Sequence, residues 1–145
     1  MRAAVCTRYG PPEVLELREV PDPVPRADEI LVRVHASAVT SSDWFIRSSV
    51  PHAPITTRVA MRLLVGITAP RKRILGLILA GEVEEVGSSV TRFSVGDRVY
   101  AFTKFHFGAY AQYTCLRESS TVAIAPASLS HAEAAAIPYG GLLAL

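Results

Sequence analysis

The stretch EILVRVHASAV, residues 29 to 39, alternates strictly. Ile30, Val32, Val34, Ala36 and Ala38 fall on one face; Leu31, Arg33, His35 and Ser37 fall on the other. A period of two held over this length predicts a half-buried β-strand, because successive side chains point to opposite faces of a sheet. His35 lies on the more polar face and reads as a partly exposed sheet histidine. Upstream, Pro21, Pro23 and Pro25 hold an extended link, since each proline removes a ladder donor and biases its predecessor away from helix. Before that link, residues 14–20 read as an edge strand, Gly10-Pro11-Pro12 as a turn, and residues 2–6 as a short strand.

Downstream, Thr40-Ser41-Ser42-Asp43 leads into Trp44-Phe45-Ile46-Arg47. Hydroxyls and a carboxylate before aromatic residues predict an N-cap and one helical turn. Residues 58–65 read as a short helix with Val59 and Leu63 on one stripe. Pro70-Arg71-Lys72-Arg73 reads as a solvated basic link in preference to a phosphate or membrane contact, because four residues make a small patch. A second long strand is expected over 74–86, where two glycines suggest a bulge or a close backbone approach. Gly87-Ser88-Ser89 is a turn, and Gly96-Asp97 turns the chain into a further strand, with Asp97 closing onto backbone N–H groups. Strands are expected over 108–116 and 121–125. Ser130 and Glu133 form a capping box for a helix over 131–137, which Pro138 ends or kinks. Eight or so short strands at this spacing predict a mainly-β barrel or sandwich.

Composition narrows the function classes. The chain has 145 residues, half of them apolar and 19% charged, with a formal charge of +2. This suits one folded domain with a real core. It gives no concentrated basic footprint for nucleic acid, and no apolar run reaches the ~20 residues of a spanning helix. Neither a nucleic-acid nor a membrane partner is expected. Cys6 and Cys115 lie far apart and form no CxxC pair, so both read as small apolar packing residues in a reducing, cytoplasmic setting.

Four segments together resemble the medium-chain dehydrogenase/reductase family, and most its zinc-independent quinone oxidoreductase-like branch. They are AAVCTRYGPPEVLELREVPDPVP (3–25) with the strand that follows, AGEVEEVGSSVTRFSVGDRV (80–99), GAYAQYTCL (108–116) and IAPASLSHAEAAAIPYGGLLAL (124–145). The resemblance implies a GroES-like, partly open β-barrel over residues 1–129 that shapes a substrate pocket. It makes 130–145 an inter-domain helix, cut short, leading to a Rossmann domain absent from this chain. No GxGxxG follows a strand here, and Tyr139-Gly140-Gly141 is too short to cradle a pyrophosphate. The implied cofactor, NADPH or NADH, therefore belongs to the parent rather than to these residues alone.

The resemblance implies hydride transfer to a small hydrophobic carbonyl, enone or quinone, and suggests a homodimeric parent. Zinc-dependent relatives need a cysteine at Ser41 and a Gly-His-Glu at Gly76-Leu77-Ile78; Leu77 and Ile78 have no donor atoms, so no zinc is expected. The substrate-pocket candidates are Thr40, Ser41, Ser42, Asp43, Trp44, Phe45, Phe105 and His106, with Thr40 and Trp44 foremost for pocket lining. Their hydroxyls offer donors to a charged oxygen and their rings an apolar wall, although Ser42 or Asp43 reads equally as a helix cap, Trp44 as core and His106 as surface. Thr40 and Leu143 are candidates for contact with the nicotinamide, given the missing domain. The branch often has Asn at Thr40, Tyr at Phe45 and Thr at Leu143, so three donors differ. The competing reading is a truncated, non-catalytic GroES-like interaction module.

Overall fold

The computed structural model describes residues 1–49 and 53–143, the last three as backbone. Seven strands form two antiparallel sheets. The smaller sheet pairs β1 (Arg2–Cys6) with β2 (Leu15–Glu19), joined by a 3-10 turn at Pro12–Val14. The larger has the order β6-β3-β4-β5-β7, with β3 at Glu29–Ser37, β4 at Ile78–Val86, β5 at Arg98–Phe102, β6 at Tyr113–Arg117 and β7 at Val122–Ile124. Single bridges from Ala3 to Ala111 and from Val5 to Ile74 tie the sheets together, and no closed barrel forms among the described residues.

The strand first read from alternation is the axis of the large sheet. β3 pairs with β4 on one side and β6 on the other, and its inward residues Ile30 and Val32 are fully buried. Its ladder with β4 shifts register between Leu31 and Val32 and again between Val34 and Ala36. Such bulges bend a strand and raise its twist, which opens the sheet into a half-barrel. Gly81 sits inside β4, not at its end. A Cβ there would lie 2.0 Å from the Arg33 carbonyl oxygen, so only glycine lets β3 and β4 approach this closely.

Several expectations need correction. The second long strand begins at Ile78, not Ile74. Gly76 has φ +95, and a Cβ on it would lie 2.7 Å from the Tyr110 ring. Residues 74–76 instead bond to the 108–110 loop, with Tyr110 N donating to Leu75 O at 3.0 Å. For the same reason the strand expected over 108–116 shortens to β6. Among the described residues there are seven strands, against the eight or so expected. The first helix, α1 (Ser41–Ser48), has two turns, and α2 runs over Ile55–Val65.

Pro138 does not end its helix: α3 spans His131–Leu143 with the proline inside it. A proline loses one ladder bond and crowds the carbonyl four residues back. Here packing overrides that cost, because Ala134 and Ala135 are buried in the core on the turn before it. The Ser130–Glu133 capping box forms, with Ser130 N donating to Glu133 Oε2 at 2.8 Å and Glu133 N to Ser130 Oγ at 3.2 Å. Asp97 closes its turn by accepting from Ser94 N at 2.8 Å.

The core has two parts. Ile30, Val32, Leu79, Val83, Val99 and Leu116 fill the inside of the half-barrel. Cys6, Ile46, Leu75, Leu77, Ile78, Phe107 and Ala134 pack under α1 and α3 at its end. The second cluster carries the candidate site.

Candidate functional site

β3 ends at Ser37 and α1 begins at Ser41, after Thr40, whose extended backbone makes it the N-cap. Its hydroxyl donates to Asp43 Oδ2 at 2.7 Å, its N–H donates to the same oxygen at 2.9 Å, and Asp43 N returns a bond to Thr40 Oγ1 at 3.3 Å. Both residues are buried. The capping box therefore consumes Thr40 and one oxygen of Asp43. The other, Asp43 Oδ1, is buried without a hydrogen-bond partner, as is the hydroxyl of Tyr110. Burial, then the Asp43 carboxylate, pushes the Tyr110 phenol well above its ordinary range.

Capping also fixes where the next residues point. Ser41 and Ser42, in the first turn of α1, each hold their Oγ 3.0 Å from the hydroxyl of Tyr139 on α3. These bonds, Ser41's first and Ser42's second, lower the Tyr139 pKa below the usual phenol value. Three hydroxyls thus meet between the start of α1 and the end of α3.

Beside them lies a cavity of about 460 Å³, lined by Ser42, Phe45, Ile46, Met61, Leu77, Phe102, Lys104 and Phe105. Its size suits a small planar ligand, and apolar walls with a few polar groups are the usual make-up of such sites. The far wall is a loop held under strain. Lys104 and Phe107 both have left-handed backbone, at φ 51 and 55, uncommon for side-chain-bearing residues. Thr103 anchors the loop, its N–H donating to Leu77 O at 2.7 Å and its hydroxyl to Gly76 O at 3.1 Å. The result holds the Phe105 ring out over the opening, 81% exposed.

The sequence candidates divide accordingly. Ser42, Phe45 and Phe105 come together on the cavity, and Ser41 joins them through Tyr139. Thr40 and Asp43 are spent in the buried cap. Trp44 lines a neighbouring depression with Gly10, Pro11, Pro12 and Arg47, its ring centroid 5.0 Å from that of Phe45. His106 faces a different groove, with Arg26, Arg71, Lys72, Arg73 and Arg117. The Leu143 side chain lies outside the described residues. Of the zinc-test positions, Leu77 lines the cavity and Ile78 is fully buried.

Tyr139 escaped the sequence reading. It is 97 residues from Ser42, and taking Pro138 as a helix end hid that one continuous helix aims it at α1. It also revises the departure noted at Phe45: a phenol is present near the pocket after all, supplied by α3. Neither cysteine is poised for chemistry. Burial raises the pKa of Cys6, and burial, then Glu29 and Glu85, pushes Cys115 up to about 11.

Every ladder in the described residues is antiparallel, and none of them forms a strand–glycine turn–helix unit. The described residues therefore offer an apolar, polar-edged cavity of a size for a ring, and do not fit the phosphates of a dinucleotide.

The half-barrel thus presents an apolar slot and a hydroxyl cluster where β3 leads into α1. The family model for the alcohol dehydrogenase GroES-like domain matches residues 26–127, and the chain belongs to that family, within the medium-chain dehydrogenases/reductases. It is 37% identical over 148 residues to the chloroplastic quinone-oxidoreductase homolog of Spinacia oleracea, covering 99% of this chain and 40% of that one. The quinone oxidoreductase of Coxiella burnetii superposes with a TM-score of 0.80 at 32% identity, covering 98% of this chain and 42% of its own. A mycobacterial protein solved in complex with NADPH gives 0.76 at 28% identity, covering 99% and 39%. The chain thus spans about two-fifths of the length of these relatives.

Proposed function

We propose that this chain is the acceptor-binding part of a zinc-independent, NADPH- or NADH-dependent reductase of quinones or enones. The observation that carries the reading is the cavity of about 460 Å³ with aromatic walls at Phe45, Phe102 and Phe105 and Ser42 at its polar edge. A planar conjugated ring fits between such walls by stacking and burial. The acceptor's oxygen then lies toward Ser42, whose hydroxyl is backed by Tyr139 and, through it, Ser41. Donors set in place before reaction stabilise the negative charge that grows on that oxygen, and do so without reorganisation. When bound, a nicotinamide supplies the hydride; the phosphate-holding half of its site lies in a partner domain, not in the residues described here.

A 2,3-dialkyl naphthoquinone, blocked against thiol addition, is the probe. Calorimetric titration onto the 145-residue chain should give saturable binding that Phe45→Ala weakens about tenfold, the order expected for losing one aromatic wall. NADPH alone should give no saturable heat. Absence of quinone binding, or equal binding by the Phe45→Ala chain, overturns the reading.

A further inference from the structure

Helix α2 is built inside out. Its half-buried side holds Arg58, Met61 and Val65, while Ile55, Val59, Leu63 and Leu64 point outward, and not one of its residues is buried. Leu63 is 60% exposed, Leu64 75%, and Ile67 just beyond the helix 64%. Arg62 turns inward to donate to Ser49 Oγ at 3.1 Å and to stack over the Tyr9 ring at 5.4 Å. A surface helix normally hides its apolar stripe; this one leaves Ile55, Val59, Leu63 and Leu64 in the open.

Charge decides what can cover it. From Trp44 to Gly81 the sequence has six basic residues, Arg47, Arg58, Arg62, Arg71, Lys72 and Arg73, and no acidic one. Among the described residues none of the six makes an ion pair. The link folds directly onto the end of α2, Arg71 N donating to Val65 O at 2.7 Å, and Arg71, Lys72 and Arg73 are all exposed. An apolar helix face ending in an exposed cationic cluster is complementary to a bilayer with anionic headgroups. The leucines enter the acyl boundary and the cations meet the phosphates.

We propose that α2, with the Arg71-Lys72-Arg73 link, docks this chain on anionic lipid surfaces, lying in the plane of the interface. No helix among the described residues is long and apolar enough to cross a membrane, so the contact is peripheral. The link read from sequence as merely solvated then becomes the electrostatic half of the contact. Quinone binding plays no part in this inference, and its test uses no redox substrate.

The test is co-sedimentation of the 145-residue chain with phosphatidylcholine vesicles, with and without about 30% phosphatidylserine. Binding is expected to the anionic vesicles only, falling as salt rises. Arg71→Gln/Lys72→Gln/Arg73→Gln should weaken it about a hundredfold, at ~1 kcal/mol per cation. Leu63→Ser/Leu64→Ser should weaken it by about tenfold or more. Because these side chains are exposed, thermal melts should be unchanged in both. No sedimentation, equal sedimentation with neutral vesicles, or binding kept by both variants overturns the proposal. So does analytical ultracentrifugation showing a dimer that Leu63→Ser/Leu64→Ser turns into a monomer, since a second copy would then own the face.

Discussion

β4 and α2 are both rich in apolar residues, and the structure treats them in opposite ways. Ile78, Leu79 and Ala80 in β4 have no exposed surface, whereas α2 buries none of its residues. The difference is one of neighbours. β4 is paired on both edges, by β3 and β5, and covered by α3. α2 rests on the domain along one side only, through Arg58, Met61 and Val65. Apolar composition therefore does not by itself place a segment in the core; a second covering layer does.

The sharpest way to break this comparison is to make like substitutions in the two elements. Leu79→Ala should cost about 3 kcal/mol, through lost burial and a residual cavity. Leu64→Ala should stay within about 0.5 kcal/mol. Urea denaturation of both reads the result. Comparable losses would mean that α2 is covered in solution and that its outward face is not free.

The next effect concerns the cap that links the strand layer to the helical face. Asp43→Ala removes the acceptor for both Thr40 N and Thr40 Oγ1, inside the core. A lost cap with an unpaired buried N–H should cost about 2 kcal/mol. It should also loosen the first turn of α1, so quinone binding falls with stability. Ser42→Ala, by contrast, should reduce binding and leave the urea midpoint in place.

That contrast marks how much was legible beforehand. That a cap stands here was readable, because hydroxyl and carboxylate spacing acts within four residues, but Thr40 fills it where Ser42 or Asp43 was the expected cap. So was β3, because alternation is local. The inversion of α2 was half visible: Val59 and Leu63 were seen as a stripe, but which way a stripe faces depends on what packs beside it. Pro138 misled for the opposite reason. Its local rule was sound, yet the burial of Ala134 and Ala135 outweighed it, and with it went Tyr139, the residue that completes the hydroxyl cluster.

A smaller effect should appear with pH where α3 meets the large sheet. The His131 ring at the start of α3 stacks on His35 of β3, with centroids 4.5 Å apart and planes at 16°. Burial first, then His35 and Arg98, lower the His131 pKa, against an opposing pull from Glu82. The folded state thus takes up this proton less readily than the unfolded chain, whose value is about 6.5. Stability is then full above that pH and declines as pH falls below it toward the folded value. Melting temperatures from pH 7.5 down to 5 should show the decline, and His131→Gln should flatten it. An unchanged slope in that variant would assign the decline to other groups.

The smallest effect is spectroscopic, and it bears on the site directly. Tyr139 is one of five tyrosines and the one whose phenol meets Ser41 and Ser42 at 3.0 Å. Hydroxyls that donate to a phenolate favour it, so Tyr139 should lose its proton below the ordinary value of about 10. Carbon-13 NMR of labelled tyrosine, with Tyr139→Phe to assign the resonance, gives its midpoint. Ser41→Ala should move that midpoint upward more than Ser42→Ala, since the Ser41 bond contributes first, and the double variant should abolish the downward shift. The buried Tyr110 serves as an internal contrast, held protonated by its burial and by Asp43 beside it. If the Tyr139 midpoint ignores both serines, the three hydroxyls do not act as one donor set. Ser42 would then face an acceptor unaided, and the comparison between a structural β-layer and a chemically organised helical face would lose its second half.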